Sequence, residues 1–151
     1  MTSQFDFSNT EWNDIATLPV LVGYAVAMAE DSGRVGSYLE VRTLANSIVA
    51  GRRKGPAQGL IEAARATDIK PQVDQFEEHS PELLGDIAVQ AARDLGKLLD
   101  SRTTPDESVA FKQWVYGIGV QVAEAAKEGG IRVSGGEVAL LERIREALML
   151  P

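Results

Sequence analysis

The amino-acid sequence predicts an all-α fold, a compact bundle of about six to seven helices in one domain, from three observations. Apolar residues recur at three- and four-residue spacing along most of the chain. Serine or threonine followed three positions later by glutamate precedes several of these stretches, and glycine or proline follows them. No stretch alternates with period two for long enough to form a strand. Ile131-Arg132-Val133 is the one candidate, and it is a link between glycine-rich turns.

Residues 1–8 are a short lead, and 9–151 form the single helical domain. Ser8 and Glu11 have capping-box spacing and open a short helix to about Leu18, with Trp12, Ile15 and Ala16 inward. Pro19 breaks or kinks the chain there, or begins a new helix, because it lacks the N–H that a helix interior needs. From Pro19 to Glu30 nearly every side is apolar, the pattern of a central buried helix, and Asp31-Ser32-Gly33 ends it. A third helix is expected over 35–51, with Tyr38, Val41, Leu44, Ala45 and Ile48 inward, followed by the basic loop Arg52-Arg53-Lys54. A shorter helix runs from about Pro56 to Ala66, and another helical segment covers 72–78.

Ser80-Pro81 starts a long helix with proline at its first position, where the missing N–H costs nothing. Its expected stripe is Leu84, Ile87, Ala88, Ala91, Leu95 and Leu98. Thr104-Pro105-Asp106-Glu107 starts the next, whose inward face is Val109, Val115, Ile118, Val122, Ala125 and Ala126. Gly129 and Gly130 end it by accepting the left-handed backbone common at helix C-termini. Ser134 and Glu137 cap the last helix, which buries Val138, Leu141, Ile144 and Leu148.

Composition narrows the function. At 151 residues the chain can bury a proper core, and its formal charge of −7 disfavours phosphate backbones and anionic membranes, so neither nucleic acid nor membrane is an expected partner. The absence of cysteine removes disulfides, thiolate zinc sites and a cysteine nucleophile. No basic start followed by an apolar core marks a signal peptide, and the longest apolar run, Leu18 to Ala29, is short of the roughly 20 residues that span a bilayer. A cytoplasmic location is expected.

The chain contains an internal echo. Residues 22–33 align on 118–129, matching Gly23 with Gly119, Val26 with Val122, Ala29 with Ala125 and Gly33 with Gly129. After one inserted residue, Glu40-Val41 and Leu44 fall on Glu137-Val138 and Leu141. Each copy is a helical hairpin with an acidic, glycine-bearing turn. Helix-interior glycines such as Gly23, Gly117 and Gly119 fit a bundle in which helices approach closely.

These hairpins resemble the repeating element of the TerB-like family of bacterial tellurite-resistance proteins. The shared features are a small-residue helix, an acidic-glycine turn, a branched apolar residue and a glutamate four positions on. Here they are Glu128-Gly129, Val133 and Glu137, and more loosely Asp31, Gly33, Val35 and Glu40. The chain is also similar to small bacterial helical proteins with no assigned role. The TerB resemblance implies a compact helical bundle and an acidic divalent-metal site at Asp31, Glu40, Glu128 and Glu137. Hard cations do prefer oxygen ligands, but neither turn has the alternating carboxylates of an EF-hand. Charge favourable to the helix N-termini is the preferred reading of Glu40 and Glu137.

Other candidates are sparse. His79, the one histidine, follows Asp74, Glu77 and Glu78, and a single histidine supplies neither the paired Glu-x-x-His of diiron bundles nor an ordinary triad within one chain. It reads as an exposed residue before a helix cap. Arg52-Arg53-Lys54 offers either a small anion site or favourable charge at a helix C-terminus. No phosphate-loop motif occurs. Trp114 and Tyr116 lie off the main apolar stripe, as interface anchors for a homodimer or protein partner, or as cover for a neighbouring helix. The expected function is a small non-catalytic interaction module without a cofactor. A TerB-like metal-ion or stress-response binder is the alternative, and an enzyme working through carboxylates alone is the third reading.

Overall fold

The computed structural model describes residues 2–29, 55–128 and 135–150. Among these residues there are six α-helices and no strand: α1 (Asn9–Met28), α2 (Gln58–Ala66), α3 (Lys70–Asp74), α4 (Pro81–Arg102), α5 (Pro105–Glu128) and α6 (Gly135–Leu148). Short 3-10 turns at Gln4–Asp6 and Phe76–Glu78 precede α1 and α4. The all-α bundle expected from the sequence is therefore the fold.

Local chemistry sets most of the boundaries. The Ser8 side chain accepts the Glu11 N–H at 3.1 Å, and the Glu11 carboxylate accepts the Ser8 N–H at 2.8 Å. Thr104 and Glu107 make the same reciprocal pair at 3.2 and 3.1 Å, and Ser80 accepts the Leu83 N–H at 3.2 Å. Each such cap contributes about 1 kcal/mol by satisfying N–H groups that a helix start leaves unbonded.

Pro19 does not divide the first helix, contrary to the sequence reading. α1 runs through it, and Pro19 lies among neighbours buried on every side of the helix, from Ile15 to Ala27. A proline in a helix interior costs about 3 kcal/mol. Burial of Ile15, Leu18, Val22 and Val26, all at 1% exposure or less, outweighs it at about 1.5–3 kcal/mol per side chain. Thr17 keeps its hydroxyl satisfied within the same turn by donating to the Asn13 carbonyl at 2.6 Å.

α1 is the central helix. It packs on α5 and α4, and α4 packs in turn on α6. Glu11 lies beside Arg102, and Val22 and Val26 lie at Gly119, so α1 runs parallel to α5 and antiparallel to α4. Gly85 faces Leu140 and Gly96 faces Ala147 and Leu148, so α4 and α6 are parallel. On the remaining side, Tyr24 packs on Phe76 at 5.5 Å between ring centroids, and the Trp12 indole N–H donates to Thr67 at 2.9 Å.

Several faces are rotated from their expected positions. On α4, Val89, Ala92 and Leu99 are buried while Ile87, Ala91 and Leu98 are half-buried, because α1 and α6 approach from adjacent sides. On α5, Phe111 and Trp114 enter the core and Val109 is 43% exposed. On α6, Leu140 and Ala147 are buried, Leu141 is half-buried and Val138 is 57% exposed. The expected segment at 72–78 resolves into α3, starting at Lys70, and the following 3-10 turn. The helix expected over 35–51, the Arg52-Arg53-Lys54 loop, the Gly129-Gly130 stop and Ser134 lie outside the described residues. Of the two echoed segments, 22–29 ends α1 and 118–128 ends α5, and the rest of the first hairpin is outside the described residues.

Candidate functional site

Three polar features stand out, and they differ in what they can do. The first is the junction of α4 and α5. Lys112, 5% exposed, donates to Asp100 at 2.8 Å, and the buried Ser108 hydroxyl donates to the same oxygen at 2.6 Å. Burial pushes the Asp100 carboxyl up, but the hydrogen bonds from Lys112 and Ser108 outweigh it and hold the group below its ordinary value. The lysine stem passes Gly96, where a Cβ would stand 3.6 Å from Cε and 3.7 Å from the Ala147 carbonyl. The ammonium thus lies near the negative end of α6, a favourable position for a cation. Ser108 and Lys112 are buried while the Asp100 carboxylate is 42% exposed, and the three together act as a structural clasp.

The second feature ties the N-terminal lead to the same junction. The buried Glu107 carboxylate accepts the Thr2 N–H at 3.1 Å and the Thr2 hydroxyl at 2.7 Å. Burial raises the Glu107 pKa, and the bonds from Thr2 and Thr104 bring it below the ordinary glutamate value. Arg102 adds a bond to the Asp6 carbonyl at 3.0 Å and an ion pair with Glu11 at 3.2 Å.

The third feature is open. Between α4 and α6 lies a groove of about 400 Å³ lined by Asp86, Val89, Gln90 and Arg93 on one helix and Arg143, Glu146 and Ala147 on the other. Helical spacing puts these residues on facing sides. Gly85 and Gly96, three turns apart, bring α6 close on either side: a Cβ at Gly85 would stand 3.5 Å from Leu140. Arg143 pairs with Asp86 across the groove at 2.9 Å, with both side chains more than half exposed. Arg93 donates to Gln90 at 3.3 Å, and neither Arg93 nor Glu146 has an ion pair among the described residues. At the C-terminal lip, Arg145 pairs with Glu142 and donates to the Leu150 carbonyl at 2.9 Å.

Those residues singled out in the sequence that the structure describes lie away from this groove. Glu137 is the third residue of α6 and is 1% exposed, a buried carboxylate at a helix N-terminus. Glu128 ends α5, and Asp31 and Glu40 lie outside the described residues. Among the described residues no group of three or more histidine, aspartate or glutamate side chains could hold a metal ion. Trp114 is not an exposed anchor: it is 7% exposed and packs edge-on to Phe111 at 5.4 Å. Tyr116 is half-buried against the core. Asp74 pairs with Lys70 at 3.3 Å, and His79 caps the 3-10 turn through its backbone N–H.

Sequence reasoning missed the groove because its lining reads as an ordinary solvated face of each helix. The available signal was the Gly85 and Gly96 pair on one face of α4. Among the described residues no helix is long and apolar enough to cross a membrane. Compared with protein-family models, curated proteins and solved structures, the chain matches none of them.

Proposed function

We propose that this protein is a small, non-catalytic helical interaction module of the cytoplasm, and that it engages a protein partner through the α4–α6 groove. One observation carries the reading: an open groove of about 400 Å³ between two closely packed helices, with an arginine and a glutamate that have no ion-pair partner among the described residues. Solvated charges in a groove give specificity and steer encounter more than they give affinity. The bundle beneath holds them on helices rather than loops, which keeps their spacing fixed.

The test is site-specific crosslinking. A photoreactive residue replaces Gln90 in the groove, and a control replaces the exposed Gln113 on α5. The reading expects a discrete protein adduct at position 90 and none at 113. Equal adducts at both positions, or none at either, would refute it.

The alternative, a TerB-like protein that binds divalent metal through acidic helix starts, draws support from the burial of Glu137. Native mass spectra before and after chelation separate the two. A mass excess that chelation removes and Glu137→Gln abolishes would favour metal binding, and an unchanged apo mass would count against it.

A further inference from the structure

We infer that the partner seated in the α4–α6 groove is a second copy of this chain, docked across a two-fold axis with Arg93 of each copy against Glu146 of the other. This rests on the interaction-module reading and names its partner. In a two-fold interface each residue meets the same counterpart twice, once in each direction, so the patch must be complementary to itself. In charge, the groove has that property. Asp86 and Arg143 neutralise one another within the copy, leaving Arg93 and Glu146 as charges of opposite sign on facing helices.

The charge balance of the whole molecule points the same way. The chain carries −7, so two copies repel over most of their surfaces. The groove lining holds two arginines against one aspartate and one glutamate, a formal sum of zero. Two acidic molecules can approach there without the general penalty. A purely anionic partner would meet Asp86 and Glu146, and a purely cationic one would meet Arg93 and Arg143. A second copy brings both signs at the spacing the groove itself defines. Val89 and Ala147, at 6% and 7% exposure, contribute little apolar area to the lining. Stable interfaces bury roughly 800 Å² per partner, and a polar groove of this size gives a weaker, concentration-dependent dimer.

Sedimentation equilibrium of the full chain over roughly a hundredfold range of concentration tests the proposal. The wild type should show a reversible monomer–dimer equilibrium. Arg93→Glu and Glu146→Arg alone should each weaken it by roughly tenfold or more, since each places like charges together twice. The double reversal should restore it, and an equimolar mixture of the two single variants should form a heterodimer. Both positions are exposed, and thermal unfolding followed by circular dichroism confirms that each variant is folded. A wild type that stays monomeric throughout, or a dimer indifferent to both reversals, overturns the proposal. If the groove crosslinker captures a different protein while the wild type stays monomeric, this inference falls and the interaction-module reading stands. A monomer with no groove-specific adduct removes both.

Discussion

Gly119 marks a close crossing of helices α1, α5 and α6, and replacing it with alanine tests how they are held. A Cβ there would stand 2.9 Å from Leu141 Cδ2, 3.2 Å from Val22 Cγ1 and 3.5 Å from Val26 Cγ2. Leu141 is half-buried and unbranched at Cβ, so its tip can turn aside. Val22 is fully buried and β-branched, which leaves it little rotamer freedom. Alanine gains about 1 kcal/mol of helix propensity over glycine, while overpacking a tight core costs about 1–3 kcal/mol. We expect a net loss of about 1 kcal/mol. Gly117, two residues earlier, is the matched control, because a Cβ there meets nothing within 4 Å. Gly117→Ala should gain up to about 1 kcal/mol. Urea unfolding midpoints of the two variants should therefore move in opposite directions. The cost of Gly119→Ala should also shrink in a Val22→Ala background, where the valine methyl groups are gone. If Gly119→Ala stabilises the protein as much as Gly117→Ala does, the crossing is not tight and the reasoning fails.

Other expectations concern the polar clasps. Asp100→Ala should cost about 3 kcal/mol, because it strands the buried Lys112 ammonium, whereas Lys112→Met should cost only about 1 kcal/mol, because the aspartate left behind is 42% exposed. Equal unfolding free energies for the two variants would contradict that asymmetry. Glu107→Gln removes one of the two carboxylate oxygens that hold Thr2, and amide exchange over residues 3–7 should quicken about tenfold, with the α5 core unchanged. Asp100 and Glu107 both titrate lower in the folded chain than their ordinary values of 3.8 and 4.5. They therefore add stability above those values and lose it as pH falls through their lower folded pKa values. Acid unfolding of Asp100→Asn should show a flatter pH dependence below pH 3.8 than the wild type, and parallel curves would exclude the linkage.

Helix starts were legible because a capping box is local: Ser8, Ser80 and Thr104 each act within three residues of chain. Which way a helix turns was less legible. α4 carries apolar residues at 83, 84, 87, 88, 89, 91, 92, 95, 98 and 99, a band wide enough to accept neighbours at several angles. The positions of α1 and α6 decide that Val89 and Ala92 are fully covered and Ile87 only half so. Pro19 misled for a related reason, since propensity is a local cost and burial on every side of α1 is a tertiary gain. The groove was least legible. Asp86 and Arg143 lie 57 positions apart, and only the parallel packing of α4 and α6 makes them neighbours.

The parallel pairing of α1 with α5 sets a timetable for synthesis. Val22 and Val26 leave the ribosome long before Gly119, the residue against which they pack. At roughly 5–20 residues per second, that gap lasts on the order of 5 to 20 seconds. Through this interval a helix apolar on nearly every side lacks the longest of its partners. Neither the N-terminal clasp on Glu107 nor the crossing at Gly119 can form until then. A nascent chain stalled before residue 105 would present α1 without α5 to its surroundings, and such chains are the ones that should depend on chaperones and aggregate without them.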